Sequence, residues 1–271
     1  MLKKRVITGL WCILPLIAAV WFNQPLPWFT VLVAIWGLLA VFEFYKLASR
    51  AGLQPLTYFG LVWTVLFIIS PHFRYDFFTP LLLTSAIILP LIWLLGRKKR
   101  GGAFLRWAWT LAGILYIGWL LSYLVALRGI KLPGTEEAGR NLVFLALATN
   151  FGSDTSAFFV GRALGRHKLA PNISPGKTWE GTIAGVFGAI IISLLFTMLI
   201  PISYWQAIIL GFLVSAFGQL GDLVESLLKR NMKVKDSGGL LPGHGGALDR
   251  MDSVVFASVV VYYYAKIIWA I

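Results

Sequence analysis

Residues Trp179–Ile200 read WEGTIAGVFGAIIISLLFTMLI, with one charge at Glu180 and none from Gly181 to Ile200. A helix needs about 20 apolar residues to cross a hydrocarbon core of roughly 30 Å. This run meets that length, so the segment predicts a transmembrane helix. Working outward from it, similar runs occupy Val6–Phe22, Trp28–Leu47, Leu56–Ser70, Pro80–Gly96, Trp107–Leu127, Asn141–Leu164, Tyr204–Glu225 and Ser253–Ala270, the third being short. The expected fold is an all-α, polytopic bundle of about nine transmembrane helices.

Composition agrees. Of 271 residues, 58% are hydrophobic and 13% charged, where soluble domains carry roughly 25% charged residues. The net charge of +13 does not point to nucleic acid. The basic residues cluster between apolar runs, where cytoplasmic loops carry them. With the N-terminus cytoplasmic, nine spans leave only Arg74, Arg128, Lys131, Arg140 and Lys266 on the far side. Lys3, Lys4 and Arg5 ahead of Val6–Phe22 resemble a signal peptide, but no clean small-residue cleavage site follows, so a retained first helix is expected. The single Cys12 excludes a disulfide framework and a thiol metal site.

The two halves differ in kind. Residues 1–140 are apolar helices suited to anchoring and lipid access, with Glu43 and Lys46 placed near a helix end where they reach the interface. Residues 141–271 carry intramembrane acids and two polar loops, 165–178 and 226–252, and are expected to be the catalytic region. The run Thr149-Asn150-Phe-Gly-Ser153-Asp154-Thr155-Ser156 cannot face lipid and must line a protein-enclosed or wet space.

The densest polar segment follows the eighth span. Asp222 and Glu225, and again Asp249 and Asp252, are spaced three apart, which on helices puts each pair on one face. Carboxylates so placed suit a hard, oxygen-liganded cation such as Mg²⁺. Between the pairs lie Lys229, Arg230, Lys233 and Lys235, as expected where a polyanion bridges metal and cations; topology alone accounts for Lys233. Pro242-Gly-His244-Gly245-Gly246 can bring backbone N–H groups close to phosphate oxygens. In the other loop, Ser174-Pro-Gly-Lys177 before a helix start at Thr178, with Glu180 behind it, resembles an anion-binding helix N-terminus, while His167 reads as structural or solvated. No GxxxxGK[ST] phosphate loop is present.

At these residues the sequence resembles the phosphatidate cytidylyltransferase (CDP-diacylglycerol synthase) family. The family signature is matched without gaps by Ser226, Lys229-Arg230, Lys235-Asp236, Pro242-Gly-His244-Gly-Gly and Asp249-Arg250-Met-Asp252. Ser174–Glu180 and Ser153-Asp154 resemble bacterial members of the family, so the similarity covers Ser153 to Asp252. The resemblance implies Mg²⁺-dependent transfer of CMP from CTP to phosphatidate, giving CDP-diacylglycerol and pyrophosphate. It implies catalytic roles for Asp222, Lys229, Arg230, Lys235, Asp236, His244, Asp249 and Asp252, with Asp222, Asp249 and Asp252 ligating the metal, and substrate contacts from Ser174, Lys177, Glu180, Ser226, Gly245, Gly246 and Arg250. The expected setting is the bacterial cytoplasmic membrane, with phosphatidate in the cytoplasmic leaflet and the site facing the cytoplasm. A second cation and a homodimer are both compatible with the sequence, and no nucleic-acid partner is expected.

Two rivals come from other classes. A CTP-dependent polyprenol or phytol kinase shares many spans and acidic motifs, but is expected to lack the Lys-Asp, His-Gly-Gly and Asp-Arg-x-Asp run. A secondary transporter would place its acids near mid-membrane in related halves, whereas here they crowd toward one end and the halves are dissimilar. A CDP-alcohol phosphatidyltransferase needs Asp-Gly and Ala-Arg elements that are missing.

Overall fold

The computed structural model describes residues 14–22, 27–73, 75–97, 101–132, 134–135, 137–238 and 245–270. The protein is a polytopic helical membrane protein. The α-helices with both ends among the described residues are α1 (Trp28–Arg50), α2 (Thr57–Ile69), α3 (Tyr75–Leu95), α4 (Ala103–Gly113), α5 (Leu120–Arg128), α6 (Ala138–Leu164), α7 (Trp179–Leu195), α8 (Tyr204–Asn231) and α9 (Asp252–Trp269). A π-helical segment, Ile114–Trp119, joins α4 to α5 into one continuous rod. Seven described helices are long and apolar enough to span a bilayer, and Thr57–His72 is a shorter apolar one. The expected first span, Val6–Phe22, lies largely outside the described residues; Leu14–Trp21 within it are helical.

Helix α7 shows why these are membrane helices. Trp179, Ile183, Phe187, Ile191 and Leu195, spaced four apart, are each more than half exposed. The opposite stripe, Gly181, Gly185, Ala189 and Ser193, is buried. Bulky apolar residues outside and small residues inside invert the soluble pattern. They suit a helix whose outer face meets acyl chains while its inner face lets a neighbouring backbone approach.

The chain forms two compact units. The first comprises residues 1–126 and 232–249, the second residues 127–231 and 250–271. In the first, the buried Tyr45 of α1 donates through Oη to the Thr110 carbonyl of α4 (2.7 Å). Gly60 and Gly113 flank its ring, and a Cβ at either would collide with it. An apolar cluster around Phe67, Ala86 and Ile114 ties α2 and α3 to the π-helical segment.

In the second unit α6, α7, α8 and α9 pack around a polar seam. Ser153 Oγ and Ser215 Oγ are 2.7 Å apart, and Gln219 Nε2 donates to Ser215 Oγ (2.9 Å) and to the Thr182 carbonyl (3.2 Å). Thr149, Asn150 and Ser153 are buried, as their polarity demanded. A small antiparallel hairpin, β1 (Lys168–Ala170) with β2 (Ser174–Thr178), connects α6 to α7.

Several boundaries differ from expectation by a few residues, α3 starting at Tyr75, α4 at Ala103 and α6 at Ala138, and two differences bear on the site. Helix α8 runs on to Asn231 rather than ending at Glu225, because Leu227 and Leu228 continue its apolar pattern and Lys229 and Arg230 complement the negative end of the helix dipole. Ser174–Lys177 is a strand, not a bare loop, and Thr178 caps α7 by accepting from Gly181 N (3.2 Å).

Candidate active site

In the second unit, three acids on different helices lie within electrostatic range of one another: Asp154 of α6, Asp222 of α8 and Asp252 at the first position of α9. Each is held by short polar contacts. Asp222 Oδ2 pairs with Lys177 Nζ at 2.8 Å, and Asp222 Oδ1 accepts from Ser226 Oγ at 3.3 Å. Asp252 Oδ1 accepts from Ser253 N (2.8 Å). Ser253 Oγ sits between Asn150 Nδ2 (2.9 Å) and Asp154 Oδ2 (3.3 Å). Asp154 itself is exposed, unlike the buried Asn150 and Ser153 before it. Asn150 and Ser253 were not anticipated as neighbours of the acids; the only signal was the polarity of an otherwise apolar span.

These donors fit a hard cation, since all are carboxylate oxygens and Asp222 retains side-chain exposure of 35%. Among the described residues no three acidic, imidazole or thiol groups stand close enough to enclose an ion alone. Mg²⁺ suits such an open set, because it keeps several waters and takes substrate phosphate oxygens rather than a full protein cage.

The cations around the acids are arranged by the hairpin and by the end of α8. Lys177 Nζ, besides pairing with Asp222, donates to the Gln219 carbonyl (3.3 Å), which places the ammonium against α8. Arg230 Nε donates to the Ile173 carbonyl at the hairpin turn (3.1 Å). Glu180 accepts from Arg166 N (3.1 Å), His167 N (3.2 Å) and His167 Nδ1 (2.6 Å), so its carboxylate fastens the start of the hairpin. Ser174 lies half-buried on β2.

The acid pair Asp222 and Glu225 does not act as one open face. Glu225 is fully buried and pairs with Lys229 one turn on, at 3.0 Å. The face that remains is Asp222, Ser226 and Lys177.

The first unit holds the rest of the signature except Arg250. Asp249 lies in a 3₁₀ turn, Leu248–Arg250, just ahead of α9, so Asp249 and Asp252 do not share a helical face as their spacing predicted. The Asp249 carboxylate accepts from Ser237 N (3.1 Å) and from Gly246 N (2.8 Å), joining the two ends of the glycine-rich loop. Gly245 takes φ +83°, where a side chain would be strained and would meet Asp249. Lys235, Asp236 and Arg250 are exposed. His244, with Pro242 and Gly243, lies outside the described residues.

The residue that the sequence misplaced is Glu43. Expected to reach the interface, it is instead 2% exposed. Its Oε2 accepts from Ser237 Oγ and from Leu248 N, both at 3.0 Å. Its position as the first acid in the chain, alone in an apolar helix, was the available signal.

A family model described as the cytidylyltransferase family matches residues 3–268. The chain belongs to the cytidylyltransferase family. Relatives agree along nearly the whole length: a phosphatidate cytidylyltransferase of Bacillus subtilis is 33% identical over 267 residues, covering 97% of each chain. One of Synechocystis is 33% identical over 268 residues, covering 89% of each. One of Brucella abortus is 35% identical over 243 residues, covering 88% of this chain and 84% of its own. Membership of the cytidylyltransferase family makes this chain an enzyme that transfers nucleotidyl groups, and the apolar helices place it in a membrane.

Proposed function

We propose that the protein is a phosphatidate cytidylyltransferase, forming CDP-diacylglycerol and pyrophosphate from phosphatidate and CTP. The observation that carries this reading is the convergence of Asp154 of α6, Asp222 of α8 and Asp252 at the start of α9, with Lys177 paired to Asp222, in a chain whose relatives of that name match it over 97% and 89% of their length.

The chemistry follows from charge. A phosphate oxygen of phosphatidate attacks the α-phosphorus of CTP; the α–β bridging bond breaks and pyrophosphate leaves with the bond's electron pair. No covalent enzyme intermediate is needed. Both reactants are polyanions, so the protein's task is to hold them in line and balance their charge. Lys177 serves this by exchanging its Asp222 contact for a phosphate oxygen, and Ser226 keeps the Asp222 carboxylate oriented as it does so. Arg230 holds the hairpin from which Lys177 projects. Gly245 and Gly246, set in place by Asp249, are read as nucleotide contacts.

Mg²⁺ is proposed as the cofactor, held by Asp222 and Asp252 with Asp154 beside them, and when bound it would neutralise phosphate charge. We place the site in the cytoplasmic leaflet of the cytoplasmic membrane, because the hairpin, the α8 terminus and the loop after it carry Arg166, Lys168, Lys177, Lys229, Arg230, Lys233 and Lys235. Purified protein with phosphatidate, CTP and Mg²⁺ should form CDP-lipid and pyrophosphate in equal amounts. Release of CDP with a phosphorylated lipid would instead establish a kinase.

A further inference from the structure

Glu43 is an expensive residue in its place, a carboxylate almost fully buried in a membrane helix. The surrounding sequence is shaped around it. Ser237 and Leu248, eleven residues apart and on either side of the glycine-rich loop, both donate to the same oxygen, Oε2. A Cβ at Gly238 would strike Oε1 of Glu43, and one at Gly246 would strike Oε2. These two glycines are therefore required by the carboxylate. Two turns earlier on the same face of α1, Trp36 Nε1 donates to the Ala247 carbonyl at 3.0 Å. Asp249 joins the ends of the loop to each other; Glu43 and Trp36 join them to α1.

We infer that Glu43 is a positioning residue for the nucleotide: its carboxylate holds Ser237 and Leu248 and packs against Gly246, one of the glycines read as meeting CTP. Helix α1 thus has a positioning duty within the first unit rather than an anchoring one alone. The inference rests on the reading of the loop as a CTP contact, and its test separates the two.

The test compares wild-type protein with Glu43→Ala, Glu43→Gln and Ser237→Ala, and with Phe42→Leu on the exposed face of α1 as control. Hydrogen exchange of peptides covering 232–251 is measured with and without CTP, alongside steady-state kinetics in each substrate. Glu43→Ala should raise exchange in this segment and raise the KM for CTP about tenfold or more, the scale of one lost hydrogen bond to a charged group. The KM for phosphatidate should stay within about twofold. Glu43→Gln keeps a carbonyl oxygen for Ser237 and Leu248 and should recover most of the CTP affinity, while Ser237→Ala should fall between.

Wild-type exchange and an unchanged CTP KM in Glu43→Ala would overturn the inference. So would equal rises in both KM values, which a general loosening of the fold produces. If Glu43→Ala does not fold, Ser237→Ala decides by the same two measurements. If the wild-type protein makes no CDP-lipid, the functional reading fails, yet exchange at 237–248 still reports whether Glu43 holds the loop.

Discussion

Lys229 belongs to the signature, and its structural surroundings give it a second duty that a single substitution would confuse with the first. Its ammonium lies 3.0 Å from a Glu225 carboxylate with no exposure, and Lys229 itself is only 13% exposed. Removing one partner of a buried ion pair costs about 3–5 kcal/mol, because the remaining charge loses its compensation in a low-dielectric site. Lys229→Met should therefore lower the unfolding midpoint in detergent on the order of 10 °C, at ~2–4 °C per kcal/mol for a chain of this size. The double variant Glu225→Gln/Lys229→Met removes both charges and should return to within about 1 kcal/mol of wild type. CDP-lipid formation separates the two duties. If Lys229 also balances phosphate charge, the double variant stays about a hundredfold below wild type despite regained stability. A midpoint unmoved in Lys229→Met would refute the buried-pair reasoning. Activity that returns together with stability would remove Lys229 from the chemistry.

Other outcomes follow from the same geometry. Lys177→Met should depress CDP-lipid formation by about a hundredfold while leaving the fold intact, since its ammonium is partly exposed and serves Asp222 and the phosphates rather than the core; steady-state rates and a thermal scan check both halves. Glu180→Gln should raise hydrogen exchange at Arg166 and His167, whose amides it holds, with a smaller loss of activity than Lys177→Met. Chelation of divalent ions should abolish turnover and added Mg²⁺ restore it, and Asp252→Asn should shift the Mg²⁺ concentration giving half-maximal rate upward. Asp249→Asn should increase exchange at Ser237 and Gly246 even without metal; exchange at the wild-type level would leave Asp249 to ligation alone.

The helical membrane fold was legible because it depends on length and apolarity, which lie along the chain. Trp179–Ile200 could be nothing else, and α7 occupies Trp179–Leu195 with a 3₁₀ turn beyond it. The acids Asp222 and Asp252 were legible as polarity out of place, and the structure brings them within electrostatic range of each other. Pairings between distant residues were not. Nothing in the neighbourhood of Glu43 announces a partner at Ser237 or Leu248, some two hundred residues on, because burial of a lone carboxylate is decided by what folds against it. The i,i+3 spacing of Asp249 and Asp252 misled for a local reason. The rule holds inside one helix, and here the helix begins only at Asp252.

The acids divide by side-chain length, and the division explains which are available for chemistry. Glu43, Glu180 and Glu225 are each committed to the protein: to the loop ends, to the hairpin start and to Lys229. The additional methylene lets glutamate reach backbone N–H groups beyond its own turn. Asp154, Asp222 and Asp252 keep their charge close to the helix axis and are held by hydroxyls, by one local amide and by Lys177. A hydroxyl can donate to a carboxylate while that carboxylate ligates a cation through its other lone pairs, and an ammonium can turn to a phosphate. Aspartates so held can take up a cation without surrendering a structural bond. Glutamates bound to backbone or buried with lysine cannot. Asp249 joins the first group by its contacts, although its position in the signature associates it with the second.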